Sequence, residues 1–234
     1  MIDSANPTLV YPNGYKPGCL PRRSKPGEWC PMAADRIKIV PSSEWAARAA
    51  ELNDSLRKKV PAIYNQASVG SCAAESSTAN LQVTRSVQGL PFVLFNPYSL
   101  YHFSSHGRDQ GSSIDENLQL LRDQGVCSEA MWPRSKGWRA APSAEAMEDA
   151  KNYRIEEFYE ISDVNQFVSA LLTGFAVTFG SQSHAVLAVQ YRPGYPLIQN
   201  SWNGWGEDNS GFGRWCSWNA IEWSYGCWAC RVAT

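Results

Sequence analysis

Gln66 and Cys72 stand six residues apart in the stretch NQASVGSCAAES, and both have small neighbours. A core cysteine prefers apolar surroundings, and a bridging one needs a partner that this stretch lacks. Small residues at the mouth of a helix suit a third use, a thiol nucleophile that a bound chain can approach closely. Such a thiol needs a base and a group to orient that base. The chain has three histidines, His102, His106 and His184. His102 and His106, four apart on one predicted helix, have a spacing open to zinc ligands, but no glutamate stands between them as in the metalloprotease motif. They read as packing or surface residues. His184 opens the apolar run HAVLAVQY, and Asn200 follows the next such run sixteen residues later. If the runs are antiparallel strands joined near residues 192–195, the two side chains meet. The amide oxygen would then accept the ring N–H and fix the tautomer.

The elements that must place these groups are legible in outline. Apolar spacing predicts helices over 42–59 (with Ser43 as cap and Trp45, Ala49 and Leu52 on one face), 72–87, 96–106 and 113–125. Residues 132–150, rich in Trp, Pro, Arg and Ala, read as a loop. From Tyr153 the pattern changes to strands: YRIEEFYEI, FAVTFG, HAVLAVQY and YPLIQNSW, with GFGRWCSW and CWACRVA to close the sheet and one short helix in VNQFVSALLTG. The chain is therefore α+β, with a helical lobe over about 62–150 and a β lobe over about 151–234. Residues 1–42, proline-rich and without helical periodicity, form an extended arm before the main domain at 43–234.

Four blocks together carry a family resemblance: NQASVGSCAAES, GSSIDENLQLLRDQGV, SHAVLAVQY and IQNSWNGWGEDNSGFGRW, in that order. They resemble the papain-like cysteine peptidases, of a shorter bacterial or viral type. The resemblance implies a two-lobe fold, a helical left lobe and an antiparallel β-sheet or barrel right lobe, with the active-site cleft between them. It implies Cys72 as a nucleophile with its pKa well below the usual value, His184 as its acid–base partner, and Asn200 as the group orienting the histidine. Gln66 becomes the oxyanion donor, and Trp202 the indole shielding the Asn–His bond. Gly111, Ser112, Ser113, Ile114, Ala185, Trp202 and Trp205 fall at substrate-binding positions, with Glu222 near the floor of the second pocket, where it could admit a basic side chain. The chain departs from the family at Val69 (usually Cys), Ala73 (usually Trp) and Glu75 (usually large and apolar).

The rest bounds the reading. With 21 Lys+Arg against 22 Asp+Glu there is no basic block to hold a phosphate backbone, and no apolar run long enough to span a bilayer. Protein or peptide substrates, a monomer, and no nucleic acid, membrane, cofactor or metal are expected. The first eighteen residues lack both a basic and an apolar leader region, so no signal peptide is expected. The seven cysteines sit awkwardly with that, since stable bridges belong to oxidising compartments, and the compartment stays open. Cys19–Cys30 is a reasonable bridge if the compartment oxidises, while Cys216, Cys227 and Cys230 with one of the arm cysteines could offer zinc thiolates. The arm reads either as a pro-segment reaching the cleft or as a wrap along the second lobe, anchored through Tyr11, Tyr15, Leu20 and Trp29. An inactive papain-fold binding module and a thiol-dependent acyl transferase or amidase are the competing functions.

Overall fold

The computed structural model describes residues 14–52 and 56–232; the proposed anchor Tyr11 lies outside them. The arm contributes a two-residue strand, β1 (Cys19–Leu20), before the short helix α1 (Trp45–Leu52). The helix predicted over 42–59 is thus shorter, flanked by 3-10 turns at Ser42–Glu44 and Arg57–Lys59, and Ser43 lies inside the first turn rather than capping. The left lobe holds α2 (Cys72–Val87), α3 (Pro97–Ser104), β2 (Ser112–Ser113), α4 (Ile114–Asp123) and α5 (Ala144–Ala150). Helix α5 falls where a loop was expected. Ser143 caps it by accepting from Ala146 N, and Ala146 and Ala150 bury against Cys127, Trp132 and Met147. So few apolar residues among prolines and tryptophans hide its periodicity.

The right lobe is a six-stranded antiparallel sheet in the order β3-β8-β4-β5-β6-β7, with α6 (Val164–Leu172) against it. Its strands are β3 (Ile155–Glu160), β4 (Val177–Ser181), β5 (His184–Arg192), β6 (Tyr195–Gln199), β7 (Phe212–Arg214) and β8 (Cys227–Val232). The C-terminal strand therefore pairs in the interior of the sheet, and β3 and β7 are the edges.

Helix α2 joins the lobes. Cys72 through Thr84 are all buried, so this helix is enclosed on every side, between α3 and α4 on one face and β4, β5 and β8 on another. Alanine and serine let the strands approach closely, and two of its polar side chains find partners outside the helix. Asn80 Nδ2 donates to Thr178 Oγ1 (3.1 Å) and Gln82 Nε2 to Val93 O (2.9 Å). Burial on every side fixes where the helix begins, and hence where Cys72 stands.

Strands β4 and β5 meet in a two-residue turn, Gln182–Ser183, with both residues at positive φ (51° and 60°). That is the turn whose twist suits a hairpin, although neither residue is glycine or asparagine. The strain is held from outside: Glu222 Oε1 accepts from Gln182 N (2.9 Å), and Ser183 N donates to Tyr225 Oη (3.1 Å).

Candidate active site

Helix α2 brings Cys72 to the lobe interface at its N-terminal end, and β5 brings His184 and Ala185 to the same place. The backbone amides of Ala185, Gly18 and Ala73 all act on the Cys72 sulfur. They do not lower its pKa below the usual thiol range, as the sequence suggested. Burial outweighs them and pushes the thiol up to about 12. The arm adds one of the opposing amides, that of Gly18.

His184 is fully buried beside Asn200. Its Nε2 lies 2.7 Å from Asn200 Oδ1, an oxygen that also accepts from Ser201 N at 2.7 Å. A carbonyl oxygen only accepts, so the ring proton sits on Nε2 and the tautomer is fixed. The hairpin expected from sequence supplies this meeting, with Arg192 opposite Tyr195 at its turn. Trp202 stacks on the imidazole at 4.4 Å and 29°, and Trp215 flanks it at 5.0 Å. Burial lowers the His184 pKa to about 4, against the opposing effect of the Asn200 bond. Thiol and imidazole are thus neutral in this closed arrangement.

Gln66 is held at both ends of its amide. Oε1 accepts from Ser201 Oγ (2.8 Å) and Trp202 Nε1 (3.0 Å), so Nε2 is the donor end. Nε2 donates to Val69 O (2.9 Å) and to Lys16 O (3.1 Å). Tyr98 Oη steadies the same residue by donating to Gln66 O (3.0 Å).

Lys16 belongs to the arm, which runs through the cleft. Tyr15 packs on Trp202 (5.3 Å), Gly18 N and Cys19 N donate to Ser183 O (3.0 and 2.9 Å), and Ser112 N donates to Gly18 O (2.9 Å). Strand β1 then pairs in parallel with β2, Cys19 opposite Ser112 and Leu20 opposite Ser113. Gly111, at φ +92°, must lack a side chain here, since a Cβ would stand 2.4 Å from Gly18 O. Cys19 is buried with its sulfur against Gly180 and near Tyr225. Beyond the cleft, residues 31–45 wrap the right lobe, where Ile37 and Val40 are buried and Val40 N donates to Ser169 Oγ (2.9 Å). The two geometries considered for the arm occur in successive stretches of it.

Of the residues expected at substrate positions, Gly111, Ser112 and Ser113 line the arm's path and Trp202 closes one end. Ala185 turns its amide toward Cys72. Ile114 is fully buried in the core, and Trp205 packs behind the histidine cage against Trp215 (6.1 Å). The Glu222 carboxylate is engaged by the hairpin, accepting also from Ser181 Oγ at 3.0 Å. The Cys19–Cys30 bridge is not formed, and all seven cysteines are free thiols. Cys19 is in the cleft, whereas Cys30 lies beside Arg22 and Glu160. Cys227 and Cys230 turn to opposite faces of β8: Cys230 Sγ donates to Asn80 Oδ1 on α2, and Cys227 lies near Cys216.

Sequence reasoning missed Lys16, Gly18 and Asp109. The arm has no secondary-structure pattern, and Asp109 sits in a polar turn just before the glycine segment. It also gave no account of Glu75. That side chain is fully buried and forms an ion pair with Arg134, whose guanidinium lies over the Tyr98 ring (4.1 Å); Ser71 Oγ also donates to it (3.0 Å).

A helix-borne thiol, a tautomer-fixed histidine from a facing sheet and a cleft between two lobes define the papain-like cysteine protease fold, and the chain has that fold. It is similar to the structure of xylellain, a cysteine protease from Xylella fastidiosa, at 20% identity and TM-score 0.69, over 97% of this chain and 100% of that one. Digestive procathepsin L2 proteinase from the larval midgut of Tenebrio molitor matches at 17% and TM-score 0.68, over 94% of this chain and 79% of that one. The Carica candamarcensis cysteine protease CMS1MS2, in complex with E-64, matches at 17% and TM-score 0.59, over 77% of this chain and 97% of that one. By sequence, no protein-family model and no curated protein matches the chain.

Proposed function

We propose that the protein is a cysteine endopeptidase kept latent by residues 15–24 of its own chain. The observation that carries the reading is the bond from Gln66 Nε2 to Lys16 O, a main-chain carbonyl held at 3.1 Å beside a buried Cys–His–Asn set. An oxyanion donor has to hold a peptide carbonyl in this manner. Once the arm lifts, water reaches the pair, and Cys72 passes its proton to His184 Nδ1. The thiolate attacks the carbonyl carbon, and the oxyanion lies against Gln66 Nε2–H and the Cys72 N–H. His184 then protonates the leaving amine, which departs as the new N-terminus. Water, deprotonated by the same ring, hydrolyses the thioester to release the acid and restore the thiol.

The arm is itself poorly placed to be cut. It reaches the oxyanion donor at Lys16 and enters the second pocket only afterwards, at Cys19. A substrate whose side chain two before the scissile bond fills that pocket runs the other way. The test is an epoxide warhead on the full chain, with and without Gly18→Ala, followed by product sequencing from a peptide library. An adduct on Cys72 and peptide fragments with new amino termini support the reading. An adduct with no fragments leaves only a reactive thiol and sinks the peptidase; ammonia release without new amino termini points to an amidase, and new amide bonds to an acyl transferase.

A further inference from the structure

Two neighbouring amide side chains, Gln199 and Asn200, each have one engaged end and one unengaged end. Asn200 Oδ1 accepts from His184 Nε2 and from Ser201 N. Ser201 N can only donate, so the opposite end of that amide is Nδ2. Gln199 is oriented by the same logic: its Nε2 donates to Ala62 O (3.3 Å), a group that only accepts, which leaves Oε1 as the other end. Asn200 Nδ2 and Gln199 Oε1 are both buried and have no hydrogen-bond partner among the described residues. The two residues are only 1% and 4% exposed, so bulk water does not serve them. A donor and an acceptor left unpaired at such depth are each costly. Both residues line one small cavity between α2 and the β5–β6 hairpin, with Glu75, Ser76 and Ala79 on the helix side. It leaves about 10 Å³ for the centre of a water-sized sphere, room for one water molecule. Glu75 stands where the family usually has a large apolar residue, so this chain has a polar group on a wall that is otherwise apolar.

We infer that this cavity is a built site for one ordered water, which accepts from Asn200 Nδ2 and donates to Gln199 Oε1, and that Gln199 is thereby a positioning residue for the Asn200–His184 pair. The consequence for turnover rests on the peptidase reading; the water site does not. The chemistry of the two ends selects the ligand. An ammonium or a metal ion has no lone pair for the Nδ2 hydrogen, whereas water accepts one hydrogen and donates another. The role follows from the shape of an amide, which is one rigid plane. Held only at Oδ1, that plane can rock about the Cβ–Cγ bond. Held at Nδ2 as well, it keeps Oδ1 on the Nε2 proton and the imidazole in its working orientation.

Two measurements test this. The first is a crystal structure of the full-length protein at a resolution that shows ordered waters. We expect one water within about 3.2 Å of both Asn200 Nδ2 and Gln199 Oε1. A dry cavity overturns the site, whatever the protein does to peptides. The second is a double-mutant cycle in the full-length Gly18→Ala background. Gln199→Met keeps the side-chain length and removes the acceptor, and should lower kcat by about five- to tenfold with KM unchanged. In the presence of Asn200→Ala the same change should lower the residual kcat by a factor of about one, because there is no longer an amide to position. A merely structural role, such as the bond to Ala62 O, would give the same loss in both backgrounds. That result, or an unchanged kcat in Gln199→Met, overturns the positioning role. An ordered water with no hydrolysis of any peptide keeps the site and overturns the peptidase reading instead. The structure of the unaltered chain decides the site whether or not Gln199→Met folds.

Discussion

Gly18 fits against Gly70 so closely that a Cβ on Gly18 would stand 2.1 Å from the Gly70 carbonyl oxygen. Backbone faces backbone there, so neither side can yield as a flexible side chain would. Gly18→Ala should therefore push the arm off Ser183 and Ser112 while leaving the two lobes intact. We expect peptide hydrolysis by the full chain to rise by about tenfold or more, a shift worth roughly 1.4 kcal/mol or more in the closing equilibrium. Unchanged activity in a folded variant would remove the arm as the regulator.

Cys72→Ala should abolish hydrolysis and epoxide labelling. The thiol is fully buried, but its replacement is nearly isosteric and apolar, so unfolding should shift by no more than about 1 kcal/mol. Residual hydrolysis at the wild-type rate would rule out Cys72 as the nucleophile.

Gln66→Ala removes a donor aimed at developing charge, and kcat should fall by about 10²–10³. The same change strands Ser201 Oγ and Trp202 Nε1, which donate to its oxygen, so stability should also drop by about 1–3 kcal/mol. A variant that loses stability but keeps its turnover number contradicts the oxyanion role.

The closed state has a pH window. His184, lowered to about 4, binds its proton less readily folded than unfolded, where it titrates near 6.5. Stability is therefore full above about 6.5 and falls as pH drops toward 4, by at most about 3 kcal/mol from this group. Cys72, raised to about 12, acts with the opposite sign: its contribution is intact below about 9 and is lost as pH rises toward 12. Denaturant melts at pH 7 and pH 4.5 should show the acid loss, and His184→Gln should flatten it. An equal slope in that variant would assign the loss to other groups.

Glu75 and Arg134 should behave as an interdependent pair. Arg134→Met leaves a fully buried carboxylate without its partner and should destabilise by about 2–4 kcal/mol, less than for a wholly enclosed pair because the arginine is a quarter exposed. Adding Glu75→Leu should recover most of that loss in the double variant. Denaturant unfolding of the three variants measures the coupling, and additive losses would show that the ion pair is not the cause.

What the sequence determined by itself was which candidate residues meet and which elements carry them. Cys72 at a helix start, His184 at a strand start and Asn200 beyond the next strand could be placed because local periodicity sets those elements, and a hairpin of that length brings its ends together. The tertiary structure decided what no period encodes. The cleft strand Cys19–Leu20 exists only because Ser112 and Ser183 are there to pair with it, and helix Ala144–Ala150 only because Cys127 and Trp132 cover its two alanines. Glu75 looked misplaced until Arg134, fifty-nine residues on, supplied its charge partner. The protonation of the dyad also belongs to this level: a helix end and a neighbouring imidazole argue for a thiolate. Burial reverses the sign, because desolvation acts on charge through the whole surrounding volume and sequence neighbours describe only one line through it.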